Sequence, residues 1–390
     1  MLILGPLCLA VWAYLLLGHG GYWRSRPELA PAHPAAGPSV DIVVPARDEA
    51  ATIAPVIVSL LAQDYAGPFR VVLVDDDSTD GTAQRAGSAA RLTVLRGRPK
   101  PDGWSGKMWA VSQGVAAGQS ELVLLTDADI VHDPRHLSAL VARLQASPDR
   151  GGAPESPDRG SALESPDRGS ALDMVSEMVR LNCSSLAERL LVPAFVYFFQ
   201  MLYPFARVND PRSPTAAAAG GTVLIRREVL QRIGGIEAIK GALIDDVALA
   251  KAVKSRGGAL YLGHSTLATS IRPYPRFADI WHMVARTAFT QLRYSAVMLL
   301  LTVLALGLVW LAPVWLAVFA HGWARFCGIG ACVLAATSYL PTLRRYGRSI
   351  AGVLTLPLVA LFYIAATVGS ALDHWRGAGA RWKNRSYGGA

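Results

Sequence analysis

Long apolar segments at the two ends of the chain constrain its fold more than any other feature. Residues 1–18 (MLILGPLCLAVWAYLLLG) contain no charged side chain, and the runs 296–320 and 351–372 are similarly apolar. Segments of about 20 apolar residues match the hydrocarbon thickness of a bilayer; 327–341 is a weaker candidate. Of the 390 residues, 52% are hydrophobic and only 17% are charged, which excludes a disordered or fibrous protein. The chain is therefore predicted to be a membrane protein.

The first apolar segment is predicted to be an uncleaved anchor over residues 1–20. No Lys or Arg precedes it, whereas Arg24 and Arg26 follow it, which is unlike a secretory signal peptide. This charge distribution places its C-terminal side in the cytoplasm. Residues 21–38, which include the Pro-rich stretch 27–38, are interpreted as a linker.

The charges around the C-terminal apolar region, 296–372, leave its topology open. The loop RRYGR before the last apolar run indicates a cytoplasmic side, but a four-span count would put the basic tail 373–390 outside. We predict a multi-pass protein of the cell inner membrane with the domain between its apolar ends on the cytoplasmic side, and leave the span count and the side of the C-terminus open.

The net charge of +9 does not indicate a nucleic-acid partner. No stripe of Arg and Lys with interleaved aromatic residues is present, and the basic clusters flank apolar segments instead. Anionic lipid head groups are the expected partner of these clusters. The four cysteines show no CxxC spacing, which argues against a disulfide scaffold or a thiolate zinc site.

Between the apolar ends, residues 39–275 are predicted to form one α/β domain. Continuous Val/Ile/Leu runs alternate with helical patterns, which indicates a parallel sheet buried on both faces. Residues 147–173 contain three copies of a nine-residue SPDRG-type repeat, predicted to be a duplicated surface loop because each copy carries Pro and Gly.

Two groups of carboxylates follow predicted strands, at the sheet edge where ligands of such folds bind. The run VVLVDDDSTDGT places Asp75, Asp76 and Asp77 together, an arrangement that repels itself unless a ligand offsets the charge. Asp77 is better explained as part of a helix start than the other two. The run LLTDAD holds Asp127 and Asp129, and in an extended segment both would face one divalent cation.

A third acidic pair, Asp245 and Asp246, opens a predicted amphipathic helix. Acidic residues at this position commonly stabilise the helix N-terminus. Beside a metal–phosphate site, the same pair would instead supply a general base. The sequence leaves both interpretations open, and His132 near TDAD is as consistent with a loop residue as with a ligand.

Taken in order, several motifs of the chain resemble glycosyltransferase family 2. These motifs are PARDEAATI, VDDDSTDGT, GWSGKMWA, TDAD, AGGTVLIRREVLQRIGG, IDDVAL and QLRYS. With both apolar ends included, the chain most resembles the membrane-bound hopene-associated members. The resemblance implies a GT-A nucleotide-sugar-binding domain, Rossmann-like in its α/β class, with an N-terminal transmembrane anchor and C-terminal transmembrane helices.

The resemblance also implies a role for each matching residue. Asp127 and Asp129 would hold Mg²⁺ or Mn²⁺, and Asp246 would be the catalytic base, with Asp245 standing where the family usually has Glu. The nucleotide-sugar pocket would be lined by Pro45, Arg47, Glu49, Asp75, Asp76, Lys107 and Asp127.

The QLRYS motif departs from the QxxRW of processive polysaccharide synthases. Gln291, Arg293 and Tyr294 stand there with a spacing one residue shorter and Tyr in place of Trp. By resemblance they would contact the diphosphate or the acceptor. Residues 276–295 also have the periodicity of an amphipathic interfacial helix, and both interpretations are compatible.

The predicted function is inverting, metal-dependent transfer of a sugar from a nucleotide-diphosphate donor to a lipid acceptor, hopanoid-related by resemblance. The apolar run 190–205 is either a buried core helix or a segment that contacts lipid. The alternatives are a processive polysaccharide synthase and a membrane protein with a degenerate, non-catalytic GT-A domain.

Overall fold

The computed structural model describes residues 1, 3–32, 36–146, 172–377, 381–382 and 385–386. The chain divides into two compact units, defined here as the sheet unit (27–180 and 206–271) and the helical unit (1–26, 181–205 and 272–390). The predicted domain 39–275 differs from the sheet unit chiefly because residues 181–205 belong to the helical unit. Most of the repeat 147–173 lies outside the described residues.

The strands of the sheet unit alternate with helices, as the sequence predicted. The strands are β1 (Val40–Ala46), β2 (Phe69–Asp75), β3 (Leu92–Arg96), β4 (Leu122–Thr126), β5 (Ile130–His132), β6 (Met174–Arg180), β7 (Thr222–Arg226) and β8 (Leu260–Ser270). Two short strands, β9 (Arg381–Trp382) and β10 (Arg385–Ser386), pair with each other in the C-terminal tail.

The helices of the whole chain are numbered in chain order. They are α1 (Leu4–Leu17), α2 (Ile53–Leu61), α3 (Thr82–Ala86), α4 (Gly106–Ala116), α5 (His136–Gln145), α6 (Leu186–Leu202), α7 (Phe205–Asn209), α8 (Arg227–Arg232), α9 (Asp245–Lys254), α10 (Phe277–Gln291), α11 (Ala296–Leu306), α12 (Ala312–Phe319), α13 (Gly322–Arg345) and α14 (Leu356–Trp375).

The sheet is mixed rather than parallel throughout. Its strand order is β3-β2-β1-β4-β7-β6-β8-β5. Pairing among β1, β2, β3 and β4 is parallel, which confirms the prediction for the first half of the domain. Strand β7 is antiparallel to both of its neighbours, β4 and β6, and β5 is antiparallel to β8. Strand direction depends on pairing across the chain, so apolar runs alone do not reveal it.

The central strands of the sheet are buried, and the side chains at their amino ends differ in charge from those at their carboxyl ends. All seven residues of β1 are buried, as expected for a strand covered by helices on both faces. Near the start of β1, the Asp41 carboxylate accepts hydrogen bonds from Arg70 Nε at 2.6 Å and Arg227 Nη2 at 2.7 Å. The opposite edge, where β1, β2 and β4 end, carries the acidic motifs.

The helical unit contains three described helical segments that are long and apolar enough to cross a membrane. They are Ala296–Phe319, Gly322–Arg345 and Ile350–Trp375. They match the three C-terminal runs chosen from the sequence, including the weakest, and make membrane association plausible. Helix α10 packs on α14 within the same unit.

The N-terminal helix α1 is shorter than the predicted span. Its 14 residues rise about 21 Å, against a bilayer core of about 30 Å. Gly18 is its C-cap and donates its amide to the Tyr14 carbonyl, and beyond it Gly20 and Gly21 turn the chain with positive φ angles of 64° and 59°. The Trp12 indole donates to the carbonyl of Val309 at 2.8 Å, within a π-helical turn between α11 and α12. An N-terminal span is therefore not shown.

The apolar run 190–205 forms most of α6 and is largely buried within the helical unit. Leu191, Val192, Ala194 and Tyr197 are each at most 2% exposed. Among the described residues, the structure thus favours the buried-helix interpretation for the centre of this segment, because its side chains pack against protein.

Candidate active site

A pocket opens at the carboxyl ends of β1 and β4, where the helix α9 begins. This is the edge of the sheet at which ligands of parallel α/β folds bind. Residues from five separated parts of the chain converge here. The polar and backbone lining includes Pro45, Lys107, Asp127, Gly220, Asp245 and Asp246.

Lys107 bridges two of the acidic motifs. Its Nζ lies 2.9 Å from Asp127 Oδ1 and 3.0 Å from Asp245 Oδ2. Ser105 caps α4 by accepting from the Met108 amide, which fixes Lys107 in the first turn. Burial opposes the charged form, but the two carboxylates raise the pKa of Lys107 above its usual range. Lys107 therefore remains an ammonium ion in the pocket.

Asp127 lies at the end of β4 in an electrostatically crowded position. Burial raises the pKa of its carboxyl, Lys107 lowers it, and Asp129 raises it again, with a net increase. The backbone amide of Asp127 donates to the carbonyl of Gly221 at 3.3 Å. The crowding means that this carboxylate favours a cationic ligand over an anionic one.

The segment from Asp127 to Asp129 is not extended, contrary to what the sequence pattern predicted. It forms a turn in which the Ile130 amide donates to the Asp127 carbonyl, rather than an extended segment with both carboxylates on one face. Asp129 is 7% exposed and is not among the residues that line the pocket. Asp127 alone of this pair therefore lines the pocket in the described part of the chain.

Asp246 is held against a glycine. A Cβ atom built on Gly220 would lie 3.2 Å from Asp246 Oδ2, so the carboxylate occupies space beside the glycine backbone. Its Oδ1 accepts from the Val247 amide at 2.7 Å. Burial, followed by the neighbouring Asp245, raises the pKa of Asp246 to about 7. A carboxyl with this pKa is suited to general-base chemistry near neutral pH.

The side chains of the pocket would bind a divalent cation only together with oxygen atoms of a bound phosphate and of water. Among the described residues, no group of three or more His, Cys, Asp or Glu side chains is placed to hold a metal ion. Mg²⁺ sites at phosphates use one or two carboxylates together with phosphate and water oxygens. The pocket carboxylates Asp127, Asp245 and Asp246 carry more negative charge than Lys107 neutralises. Hard oxygen donors with this charge excess suit Mg²⁺ or Mn²⁺.

The residues predicted to contact the nucleotide are linked across two neighbouring loops. Arg47 Nη1 lies 3.5 Å from Asp76 Oδ2, and Asp76 is 1% exposed. Asp75 Oδ1 accepts from the Ser78 amide at 3.2 Å and so shapes the turn after β2. Glu49, also buried, accepts from the hydroxyl of Thr52.

Hydrogen bonds connect the same two loops further along. The Ala50 amide donates to Asp80 Oδ2, and the Thr79 amide donates to Asp48 Oδ1, at 2.9 and 2.8 Å. Asp80 Oδ1 also accepts from the Thr82 amide, as the helix-start interpretation of this stretch requires. These contacts order the carboxyl ends of β1 and β2.

Gln291, Arg293 and Tyr294 lie in the helical unit, at the end of α10. Gln291 Nε2 donates to the hydroxyl of Tyr203, and the Tyr294 ring stacks on His374 at 4.5 Å between centroids. Arg293 and Tyr294 have positive φ angles of 53° and 56°. Their predicted contact with a diphosphate or an acceptor stays a prediction.

Sequence reasoning missed Gly220 as part of the site. The GG pair in AAAAGGTVLI signalled a close backbone approach, but not which side chain would use it. Only the folded chain brings Asp246 to Gly220. The glycine matters because a side chain there would press on the carboxylate.

Comparisons with known families and proteins agree with this geometry. The model of the family described as Glycosyl transferase family 2 matches residues 41–234, and that of Glycosyl transferase family 21 matches residues 209–387. An N-acetylglucosaminyltransferase of Azorhizobium caulinodans is 32% identical over 121 residues, 30% of this chain and 29% of that protein.

Two further comparisons involve a relative and a solved structure. A beta-monoglucosyldiacylglycerol synthase of Nostoc sp. is 36% identical over 97 residues, covering 24% of this chain and 20% of that protein. The chain thus spans less than a third of either curated relative. A mannosyltransferase of Pyrobaculum calidifontis, solved with GDP-Man and Mn²⁺, is 20% identical with a TM-score of 0.52, covering 95% of this chain and 99% of that one. The last similarity shows the fold, which is GT-A.

Proposed function

We propose that this protein is a glycosyltransferase that moves a sugar from a nucleotide diphosphate to a lipid hydroxyl. In support, the model of Glycosyl transferase family 2 matches residues 41–234, and one relative is named an N-acetylglucosaminyltransferase. The observation that carries the proposal is the pocket in which Lys107 contacts both Asp127 and Asp245, with Asp246 alongside.

The donor half of the pocket is proposed to bind the nucleotide diphosphate. Arg47, Glu49, Asp75 and Asp76 order the loops after β1 and β2, which are proposed to receive the base and the ribose. Lys107 is the pocket cation and would contact the diphosphate, exchanging carboxylate partners for phosphate oxygens.

The metal requirement is part of the same proposal. Asp127 would hold Mg²⁺ or Mn²⁺ together with diphosphate oxygens, and the ion as a Lewis acid would neutralise charge on the leaving diphosphate. Asp129, which does not line the pocket, would contribute through its charge beside Asp127. In support, the related fold from Pyrobaculum calidifontis was solved with Mn²⁺.

Asp246 is proposed to be the general base. The acceptor oxygen attacks the anomeric carbon, the bond from that carbon to the diphosphate oxygen breaks, and the hydroxyl proton passes to the Asp246 carboxylate. One displacement of this kind inverts the anomeric configuration. The raised pKa of Asp246 supports the role, because a base with a pKa of about 7 holds the proton better than an ordinary carboxylate.

A lipid acceptor is proposed from two observations. Three described segments of the helical unit are long and apolar enough to cross a membrane. One relative is named a beta-monoglucosyldiacylglycerol synthase. The resemblance to hopene-associated enzymes makes hopanoids one lipid class to test as acceptors.

The test is a donor and acceptor screen on the full chain in nanodiscs. Each nucleotide sugar is offered with Mg²⁺ or Mn²⁺ and a membrane lipid extract, and lipid products are followed by mass. A single-sugar mass increment on a lipid, lost in Asp246→Asn and after chelation, is expected. Long sugar chains would favour the polysaccharide synthase, and neither transfer nor donor hydrolysis with any donor would refute the proposal.

A further inference from the structure

A buried chain of polar side chains lies behind the pocket in the sheet unit, and the proposed reaction does not use it. It joins Thr126 at the end of β4, His132 in β5, His136 in α5 and Glu177 in β6. These residues are 2%, 3%, 0% and 0% exposed, respectively. Buried polar groups destabilise a fold unless they are hydrogen-bonded, so the contacts of this group carry information.

The four side chains are connected in series. Thr126 Oγ1 lies 3.2 Å from His132 Nε2, and His132 Nδ1 lies 2.8 Å from His136 Nδ1. His136 Nε2 is hydrogen-bonded to Glu177 Oε1. Each histidine therefore uses its two ring nitrogens on opposite neighbours. The nitrogens do not converge on a point, so the arrangement is a hydrogen-bond relay rather than a chelate.

The relay ends on a backbone carbonyl at the pocket. Thr126 Oγ1 donates to the carbonyl of Gly221 at 3.0 Å, and the same carbonyl accepts from the Asp127 amide at 3.3 Å. Thr126 is also the last residue of β4 paired with β7. After Thr126, the hydrogen bonds from its hydroxyl and from the Asp127 amide to the Gly221 carbonyl hold Asp127 close to Gly221. The neighbouring Gly220 contacts Asp246.

Proton counting gives the relay a direction. Burial, and then His136, lower the pKa of His132 well below its usual range, so His132 is neutral with one N–H. If Thr126 donates to Gly221, His132 must donate from Nε2 and accept at Nδ1 from His136. The His136–Glu177 pair then shares one proton at Nε2 and carries no net charge.

Hydrogen-bond donation in the opposite direction, from Thr126 towards Glu177, is unfavourable. It would take the Thr126 hydroxyl proton to His132 and leave the His136–Glu177 pair with a net negative charge in the interior. Glu177 Oε2 has no hydrogen-bond partner among the described residues, so nothing there offsets such a charge. Buried uncompensated charge is strongly destabilising, so the first direction is favoured.

We infer that His132, His136 and Glu177 are positioning residues that, through Thr126, fix the Gly221 carbonyl and the start of the Asp127 turn. The inference about catalysis rests on the proposed function. The inference about backbone order does not, because it concerns only this hydrogen-bonded segment.

The test uses variants that break or keep the relay. Thr126→Val removes the hydroxyl at nearly constant volume, whereas Thr126→Ser keeps it. Glu177→Leu removes the terminal acceptor, whereas a Glu177→Gln amide can donate to His136 and preserve the direction. Tyr65→Phe is the matched structural control, because it deletes another buried hydrogen bond, to the Pro38 carbonyl before β1, at the opposite edge of the sheet.

Two measurements are made on the full chain in nanodiscs. Hydrogen exchange of the segment containing the Asp127 amide should lose protection in Thr126→Val and Glu177→Leu but not in the other three proteins. In the donor assay, kcat should fall about 10- to 100-fold in the two breaking variants, with a smaller change in donor KM, and recover in Thr126→Ser and Glu177→Gln.

Unchanged protection at Asp127 in Thr126→Val would overturn the inference, whether or not the enzyme is active. So would a lowered unfolding midpoint with unchanged kcat, because that pattern is the one expected of Tyr65→Phe. If the wild type neither transfers nor hydrolyses any donor, the proposed function fails, and the exchange measurement still decides whether the relay orders this segment.

Discussion

Replacing Asp246 with Asn should stabilise the sheet unit at pH 8 while abolishing turnover. Burial and Asp245 raise the pKa of Asp246 from 3.8 to about 7 in the folded state. The folded chain therefore keeps this proton to higher pH than the unfolded chain does. As pH rises from about 4 to about 7, the unfolded state loses its proton first, and stability is lost.

The size of the effect follows from that difference. At about 1.4 kcal/mol per pKa unit, the ceiling is about 4 kcal/mol. The pocket is open to solvent and Lys107 lies nearby, so we expect about half, on the order of 2 kcal/mol. For a domain of this size that corresponds to roughly 4 to 8 °C in Tm. Asn keeps the acceptor for the Val247 amide but cannot ionise.

The assay is thermal unfolding of wild type and Asp246→Asn at pH 4 and pH 8, without metal or nucleotide. The variant should melt higher than wild type at pH 8, and the difference should shrink towards pH 4. The control is Lys107→Met, which removes the cation that offsets the carboxylates and should melt lower at pH 8. A variant Asp246→Asn that is destabilised equally at both pH values would refute the reasoning.

Four further predictions concern the same site and the far edge of the sheet. With Mg²⁺ present, donor hydrolysis should rise with pH as the Asp246 base ionises, and Asp245→Asn should move the midpoint of that rise lower because a repelling charge is gone; an unchanged midpoint would contradict this. Lys107→Met should raise the nucleotide-diphosphate Kd at least 10-fold by calorimetry, since about 1.4 kcal/mol is tenfold; equal binding would exclude the phosphate role. Gly220→Ala should lower kcat with little change in Tm, because its Cβ would lie 3.2 Å from the carboxylate; an unaltered kcat would argue against the close fit. Asp41→Asn should lower the free energy of unfolding by about 3 kcal/mol, because it weakens the buried ion pairs with Arg70 and Arg227. Urea unfolding measures this loss, and kcat per folded molecule in the donor assay should stay constant.

The Asp41 network has an acid limit of its own. Burial opposes the charged form, but Arg70 and the Ser120 amide hold the pKa of Asp41 below its usual range. A carboxyl whose pKa is lower in the folded state stabilises the fold at pH values above its unfolded-state pKa. That stabilisation is lost as the pH falls through its folded-state pKa. Wild type should therefore lose stability below about pH 4 more steeply than Asp41→Asn, as followed by unfolding midpoints across that range.

Much of the architecture was readable because local pattern and burial agree. Val/Ile/Leu runs bounded by turns predicted the parallel strands β1 to β4. Strands β1, β2 and β4 are largely buried, as such runs indicate, whereas β3 lies at the end of the sheet and is partly exposed. The apolar C-terminal runs predicted three membrane-length helices for the same reason of composition and length. The antiparallel direction of β7 was not predicted, because so short an apolar strand has the same sequence pattern in parallel and antiparallel pairing.

The site was predicted in chemistry but not in geometry. Asp127, Asp245, Asp246 and Lys107 were chosen from motifs, and the fold does bring them to one pocket. The reason offered for the Asp127–Asp129 pair was wrong, because a hydrogen-bonded turn replaces the extended segment. Side-chain direction depends on local backbone angles that a two-carboxylate spacing does not specify.

The sequence by itself determined the kinds of parts: an α/β domain, apolar helices of membrane length, and carboxylates at strand ends. These follow from side-chain polarity and its period along the chain. Only the tertiary structure decided which parts meet: Lys107 between Asp127 and Asp245, Asp246 against Gly220, and His136 on Glu177. Contacts between residues tens to more than a hundred positions apart depend on strand order and packing, which no local pattern encodes.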